Sequence, residues 1–128
     1  MNLLLDTHVA LWALTDSPRL SARARELIES PRATIWISAA TLWEITIKHA
    51  LARGDMPVSG VEALRYFEAA GYRFLPVSPE HAVAVADLPP LHADPFDRLL
   101  VAQARVEPMR LLTHDATLAH YGGTVECV

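Results

Sequence analysis

The sequence predicts an α/β fold with a mostly parallel sheet and helices on both faces of that sheet. Short apolar or β-branched runs, of which Leu3–Leu5 and Thr34–Ile37 are the clearest, alternate with longer stretches that have helical spacing and capping residues. Strands that alternate with helices need crossover connections, and these connections give parallel sheets that are covered on both faces.

Most predicted helices begin at a residue type that caps helices, and the predicted strands are short and rich in leucine, β-branched or aromatic residues. Ser59 and Glu62 have the spacing of a capping box, and Asp94-Pro95 combines a cap with a proline at the first helical position. The predicted elements are, in order, a strand at 3–5 followed by a helical stretch, a helix that opens at Ser21, a strand at 34–37, a helix from Ser38 to about Arg53 with Gly54 as its stop, a helix from Ser59 closed by Gly71, a strand at 72–77, a helix that starts at Ser78-Pro79, a helix from Asp94 through Gln103, a strand at 110–113, a short helix capped by Asp115 and an edge strand at 124–126.

Length and composition limit the class of protein. A chain of 128 residues predicts a single domain over residues 1–128, and 52% hydrophobic with 20% charged residues is typical of a soluble globule. The single cysteine, Cys127, cannot form an internal disulfide, which fits a reducing cytoplasm. A basic leader and a stretch of ~20 uninterrupted apolar residues are both missing, so neither a signal peptide nor a membrane helix is expected.

Charge and motifs exclude several function classes. The net charge of −4 argues weakly against nucleic-acid binding, although bound cations can reverse the sign of a local field. The sequence has no phosphate-binding glycine loop, no dinucleotide fingerprint, no HExxH motif and no serine-nucleophile elbow. Nucleotide-binding folds of those types, zinc proteases and serine hydrolases are therefore not indicated.

Four acids lie after or near the predicted strands. Asp6 ends the first strand, Asp115 follows the 110–113 strand, Asp97 is in the first turn of its helix, and Glu44 lies about two turns into the helix after the second strand. Ligands of such sheets bind just beyond the carboxyl ends of the strands. Carboxylates gathered there raise one another's pKa unless a cation holds them, and Mg²⁺ prefers oxygen ligands. The four acids therefore predict a metal site that can activate water for phosphodiester cleavage.

Each acid also has a structural explanation. Asp6 can be a turn residue, and Glu44 can be a solvated helix position that pairs with Lys48 four positions later. Asp94 and Asp97 both suit a helix N-terminus, where carboxylates interact favourably with free amides and the helix dipole, and Asp115 suits a helix cap. Capping is the preferred role for Asp94. The combination of acids near strand ends, and no single residue, favours a functional site.

The histidines and tryptophans leave their roles open. The six histidines have no zinc-ligand spacing and are expected at the surface or around the acids, with His8 and His114 close to them. Trp12, Trp36 and Trp43 could stack on nucleic-acid bases, but packing in the core or at a subunit interface is the preferred interpretation.

Four segments, in this order, resemble the PIN-domain superfamily and, within it, the VapC-type toxins of bacterial toxin–antitoxin pairs. They cover most of the chain, and the third is the most specific. The segments are LLLDTHVALW (3–12), ISAATLWEITIKHALARG (37–54), LPPLHADPFDRLLVAQA (88–104) and LLTHDATLAHYG (111–122).

This resemblance implies a three-layer sandwich around a central parallel sheet, with Mg²⁺ or Mn²⁺ at the acids. It implies a toxin that cleaves RNA endonucleolytically with a metal-activated water, forms a homodimer and binds a cognate antitoxin whose C-terminal segment occupies the cleft. Arg98 or Lys48 could contact phosphate. The family's acidic quartet falls on Asp6, Glu44, Asp97 and Asp115, its Thr-x-Asp feature on Thr113 and Asp115, and Asp94 belongs to the DPFD segment with a role left open.

Two other functions compete with this one. A haloacid-dehalogenase-type phosphatase also has an aspartate after its first strand, but its chemistry needs a second aspartate two residues later, where this chain has His8. A catalytically silent PIN-like module would use the acids as caps and bind another protein. Binding of Mg²⁺ or Mn²⁺ distinguishes the nuclease from the module.

Overall fold

The computed structural model describes residues 1–52 and 56–128, and its centre is a sheet in which all the described strands are parallel. The strand order is β3-β2-β1-β4-β5, so β1 is the central strand. This arrangement confirms the predicted α/β fold with its parallel sheet. The strands are β1 (Asn2–Leu5), β2 (Thr34–Ser38), β3 (Arg73–Leu75), β4 (Arg110–Thr113) and β5 (Val125–Cys127).

Helices connect each strand to the next, and each α-helix begins after a capping side chain. The caps are Asp6, Ser21, Ser38, Ser59, Ser78, Asp94 and Asp115. Within the described ranges, no helix is both long and apolar enough to cross a membrane. The helices are α1 (Thr7–Leu14), α2 (Ala22–Glu29), α3 (Ala39–Ala50), α4 (Gly60–Ala69), α5 (Pro79–Ala84), α6 (Pro95–Val106) and α7 (Ala116–Ala119), with a short 3-10 helix at Val85–Asp87.

Strand and helix ends differ from the predictions by a few residues. Strand β1 begins one residue earlier than predicted, at Asn2, and β2 ends one residue later, at Ser38. The strand predicted at 72–77 is limited to Arg73–Leu75, because Pro76 has no backbone N–H to continue the sheet. The edge strand lies at Val125–Cys127, one residue later than predicted. Helix α3 ends at Ala50, and the stop that we predicted at Arg53 and Gly54 lies outside the described residues.

The leucines of β1 bury both faces of the sheet. Leu3 and Leu5 pack on one side with residues of α1 to α4, whereas Leu4 packs on the other side with residues of α6 and α7. This division follows from the alternation of side chains along a strand. The result is the predicted three-layer sandwich. Asp6, the residue after β1, is buried at the edge of its central layer.

Candidate active site

The candidate site begins where the two central strands end. Leu5 of β1 pairs with Leu112 of β4, and the Asp6 N–H donates to the Leu112 carbonyl at 3.0 Å. Asp6 and Thr113 therefore lie side by side at the carboxyl end of the sheet. This is the edge at which parallel sheets bind their ligands.

Asp6 is buried, with 4% of its surface exposed, and both of its carboxylate oxygens are engaged. Oδ1 accepts the Val9 N–H at 2.8 Å and so caps α1, and Oδ2 accepts a short hydrogen bond from the Thr113 hydroxyl. Burial raises the pKa of Asp6 above its ordinary value, although these two hydrogen bonds act in the opposite direction. A cation near this buried carboxylate would stabilise its charged form.

Asp97 carries the clearest electrostatic signature of the cluster. It lies in the first turn of α6, where Asp94 caps the helix by accepting the N–H groups of Phe96 and Asp97 at 2.8 and 3.3 Å. Burial, followed by the charges of Asp94, Asp6 and Glu44, raises the pKa of Asp97 to about 7. The acids that were predicted from separate parts of the chain are therefore close enough to perturb one another.

Asp115 is joined to the other acids through two side chains. Its N–H donates to the Thr113 hydroxyl at 3.0 Å, and its Oδ1 caps α7 by accepting the Thr117 N–H at 2.8 Å. His92 Nε2 lies 2.9 Å from Asp115 Oδ2 and 3.7 Å from Asp97 Oδ2. Partial burial raises the pKa of Asp115, but the hydrogen bonds with His92 and the Thr117 N–H lower it on balance.

His92 is held in one tautomer by its own loop. Its Nδ1 accepts the Asp94 N–H at 3.1 Å, so the ring proton is assigned to Nε2, which donates to Asp115. The ligand atoms of His92, Asp97 and Asp115 all lie within 4.8 Å of one another, as in a metal site. In this tautomer, however, Nε2 has no lone pair for a metal. We therefore assign His92 as a hydrogen-bond donor to Asp115.

Glu44 lies beside this cluster in a separate, buried environment. It is 3% exposed, its Oε1 accepts the Thr7 hydroxyl at 2.6 Å, and its Oε2 pairs with the Lys48 ammonium. The predicted pairing of Glu44 with Lys48 is present, whereas the solvated position predicted for Glu44 is wrong, because the side chain is buried. Hydrogen bonding to Glu44 raises the pKa of Lys48 despite the opposing effect of burial, and the charges of Asp94 and Asp97 act in the same direction as Glu44.

Three of the four predicted acids line a single cavity of about 300 Å³. Glu44 instead lines an adjoining cavity of about 260 Å³, together with Lys48 and Thr7. The first cavity therefore offers three carboxylates to a cation, with a fourth close by. Its lining residues are Asp6, His8, Trp12, Arg19, Asp97, His114 and Asp115.

The family of this chain follows from a direct comparison of its sequence. The model of the PIN domain matches residues 3–123. This chain belongs to the PIN-domain family. That finding confirms the resemblance on which the site prediction relied, and it covers every residue of the predicted acidic quartet. No curated protein matches the sequence.

Several solved structures share the fold at low sequence identity. VapBC2 from Rickettsia felis, bound to a DNA fragment from its promoter, has a TM-score of 0.72 at 18% identity over 99% of this chain and 98% of that one. VapC20 from Mycobacterium tuberculosis, described as a sarcin-ricin loop cleaving toxin, has 0.64 at 16% over 94% and 95%. VapBC-1 from nontypeable Haemophilus influenzae has 0.63 at 17% over 94% and 92%. The likeness extends nearly from end to end.

All three supporting residues in this PIN domain have visible structural roles. Arg98 does not line the acidic cavity; its Nη2 donates to the carbonyls of Val85 and Leu88 at 3.2 Å each and holds the 3-10 segment against α6. Its contact with phosphate stays a prediction. Thr113 joins Asp6 to the backbone of Asp115 through one hydroxyl. Asp94 is a helix cap, as preferred from the sequence.

Sequence reasoning did not assign roles to His92 and Thr7. His92 reaches Asp115 across 23 positions of sequence, and Thr7 reaches Glu44 across 37. The available signals were their positions, since His92 comes two residues before Asp94 and Thr7 directly follows Asp6. Neither position has a spacing that predicts such a contact.

Proposed function

We propose that this protein is a divalent-metal-dependent endoribonuclease and the toxin of a toxin–antitoxin pair. The observation that carries the proposal is the meeting of Asp6, Asp97 and Asp115 in one cavity, with the pKa of Asp97 raised to about 7. Like charges that lie together destabilise the folded protein unless a bound ligand compensates them. A divalent cation beside a phosphodiester is the ligand that fits a PIN domain with these acids.

The donor set fits Mg²⁺ or Mn²⁺, because it consists of carboxylate oxygens. Asp6 and Asp97 would be the principal ligands, and Glu44 and Asp115 would complete the site directly or through water. A bound ion of this kind supplies Lewis acidity at the phosphate and lowers the pKa of a water molecule. Each carboxylate oxygen has two lone pairs, so the hydrogen bonds that hold Asp6 leave lone pairs free for a ligand.

The residues around the acids would fix the geometry for hydrolysis. In that reaction the oxygen of water bonds to phosphorus, the bond from phosphorus to a ribose oxygen breaks, and that oxygen takes up a proton. Thr113 holds Asp6 and Asp115 at a set separation, and His92 holds Asp115 beside Asp97. Positioning of this kind is a large part of catalysis in phosphoryl transfer.

The partners are proposed from related proteins and from the surface. VapC20 is described as cleaving the sarcin-ricin loop, and the R. felis and H. influenzae proteins are VapBC assemblies. An RNA substrate, an antitoxin, a homodimer and a cytoplasmic location are proposed here on that basis. Exposed apolar side chains beside a cavity of about 430 Å³ between α3 and α4 give a surface for a protein partner. They include Val61 and Leu64, which line this cavity.

Cleavage assays with matched acid variants test the proposal. The purified chain, freed of any partner, is incubated with structured RNAs and Mg²⁺ or Mn²⁺, with EDTA and Asp97→Asn as negative controls. Asp16→Asn is the matched control, because Asp16 is exposed and pairs with Arg25 away from the cavity. We expect discrete cleavage by the wild type and Asp16→Asn, and none with EDTA or Asp97→Asn.

A catalytically silent binding module is the second candidate, favoured by the capping roles of Asp6, Asp94 and Asp115. Calorimetry with Mn²⁺ separates the two functions. A nuclease site binds the ion and loses it in Asp97→Asn. No cleavage on a broad RNA panel, together with no heat of Mn²⁺ binding, would assign the acids to capping alone.

A further inference from the structure

One wall of the acidic cavity is aromatic and basic. His8, Trp12 and Arg19 line this cavity and also the adjoining cavity that contains Glu44 and Lys48. Because the same three side chains border both, the two cavities adjoin along them, and we call the pair of cavities the groove. We call these three residues, together with His114, the groove wall.

The sequence builds this wall from one helix face and two turns. His8 and Trp12 are four residues apart on α1 and so share a face, with their ring centroids 6.0 Å apart. His114, directly after β4, meets the Trp12 ring edge to face with centroids 5.1 Å apart. Arg19 follows in the turn after α1, where its N–H donates to the Ser17 hydroxyl.

The other two tryptophans have different surroundings. Trp36 lies in β2, and its indole N–H donates to the Asn2 side chain at the opposite end of the sheet. Trp43 packs edge to face on Phe96 and lines neither cavity of the groove. Trp12 is half-buried against the core and is therefore positioned firmly, with part of its surface open to the groove.

We propose that the groove wall is a nucleotide-binding subsite that stacks an unpaired base on Trp12 while Arg19 contacts a backbone phosphate. This inference rests on the proposed function, since it places the scissile phosphate at the acids. Aromatic side chains stack on any base, but only when that base is unpaired and unstacked. The subsite therefore makes an unpaired nucleotide beside the cleaved bond a requirement for tight binding.

The charges of the groove favour nucleic acid over a protein segment. A peptide that enters an acidic cavity is expected to be cationic, and Arg19 would repel it. A nucleotide strand instead places a phosphate toward Arg19 and its bases toward the rings. In the part of the chain that the structure describes, no carboxylate forms an ion pair with Arg19.

Equilibrium binding in the Asp97→Asn background tests the subsite without cleavage. A fluorescein-labelled single-stranded RNA is compared with the same sequence in a duplex, in Mg²⁺. Adding Trp12→Leu is expected to weaken single-strand binding by about 5- to 150-fold, the effect of one lost base stack, and duplex binding by less than about twofold. Trp12→Phe keeps an aromatic ring and is expected to give a smaller loss.

Arg19→Gln provides an independent measurement. Loss of one phosphate contact is expected to reduce the slope of log affinity against log salt concentration by roughly 0.7 for a single strand. The matched controls are Trp36→Leu and Arg32→Gln, which change the same residue types near the amino end of the sheet. Both are expected to bind RNA as the Asp97→Asn parent does.

Equal losses with Trp12→Leu and Trp36→Leu, or no loss with Trp12→Leu, would overturn the subsite. The subsite would also be overturned if Trp12→Leu abolished tight binding of an arginine-rich peptide but left RNA binding unchanged, since the groove would then bind a protein partner.

Cleavage by the wild-type chain is measured separately. If the wild type cleaves RNA and Trp12→Leu does not weaken RNA binding, only the subsite is refuted. If Trp12→Leu weakens RNA binding but the wild type cleaves no RNA, the nuclease function is refuted and the subsite is retained.

Discussion

Two cavities of nearly equal volume lie at opposite ends of the parallel sheet. The cavity at the amino end has a volume of about 310 Å³ and is lined by Met1, Asn2, Arg110 and their neighbours. The acidic cavity at the carboxyl end has a volume of about 300 Å³. In the first, Arg110 pairs with Glu126 at 2.8 Å. In the second, Asp6, Asp97 and Asp115 lie together. The two ends differ in charge balance and not in volume.

This difference shows that charge balance, and not cavity volume, distinguishes a candidate functional site from an ordinary surface cavity. Opposite charges that pair at the surface satisfy one another and need no ligand. Like charges that are partly buried raise one another's pKa, and the fold keeps them together at a cost in stability. Uncompensated charge, held in place by hydrogen bonds such as those of Thr113, is therefore a stronger indication of function than cavity size.

The largest expected difference between the two ends is in catalysis. Asp6→Asn should reduce the proposed RNA cleavage by at least about 1,000-fold, because loss of a proposed metal ligand should exceed the 10–100-fold cost of losing one of its outer hydrogen-bond partners. Asparagine still caps α1, so the circular dichroism spectrum should be unchanged. Arg110→Gln, at the amino end, should cleave like the wild type. Full activity in Asp6→Asn would remove Asp6 from the site.

The next effect is a pH dependence of stability in the metal-free protein. The pKa of Asp97 is about 7 when folded against 3.8 ordinarily, so the folded state holds an extra proton between these values. The free energy of unfolding should therefore fall as pH rises from about 4 to about 7, by up to about 4 kcal/mol. Urea unfolding at pH 5 and pH 7.5 measures the change.

Asp97→Asn and added Mg²⁺ provide the controls for this pH effect. The variant has no carboxyl group to titrate at this position, and a bound cation favours the charged form, so both should reduce the loss of stability. An equal slope in the wild type and Asp97→Asn would mean that other groups cause it. Arg110→Gln should keep the wild-type slope, since Arg110 lies at the other end of the sheet.

Thr113→Val should have an intermediate effect. The substitution removes the hydroxyl that donates to Asp6 and accepts from the Asp115 N–H, so both partners lose a buried hydrogen bond. We expect a cost of about 1–3 kcal/mol in stability and a 10–100-fold loss of Mn²⁺ affinity. Unfolding and calorimetry measure the two quantities. Thr113→Ser, which keeps the hydroxyl, should restore most of the Mn²⁺ affinity if positioning is its role.

The smallest effect is expected at the amino end itself. Arg110 and Glu126 form an exposed ion pair, and Arg23 lies 3.4 Å from the same carboxylate. Glu126→Gln should change the free energy of unfolding by less than about 1 kcal/mol, with the difference shrinking as salt is added. A loss of several kcal/mol, measured by urea unfolding, would show that the amino end depends on its charges as the carboxyl end does.

Most of the fold could be predicted because its signals are local. Capping residues such as Ser21 and Asp94 sit next to the helices that they begin, and the leucines of β1 are adjacent in sequence. Asp6 and Asp115 could be grouped because parallel strands end at the same edge. The end of β3 was predicted too late because the apolar run continues through Pro76 to Val77.

The remaining features of the site depend on contacts between distant segments. His92 gains its role only when its loop meets the start of α7, and no spacing in the sequence encodes that meeting. Glu44 was predicted both as a site acid and as the partner of Lys48; the pair is present in the neighbouring cavity, and the charge of Glu44 also contributes to the raised pKa of Asp97. Trp12 was expected to pack in the core or an interface, and it does pack partly in the core.

The capping roles of the acids have a consequence for how this site changes over evolutionary time. Asp6 and Asp115 each cap a helix, so selection for folding alone would retain them in a descendant that had lost the proposed RNA cleavage. Asp97 caps no helix and its burial is unfavourable, so a descendant released from catalysis gains stability by replacing it. Among relatives, the residue at position 97 should therefore report retained activity, while aspartates at positions 6 and 115 report mainly a shared ancestry.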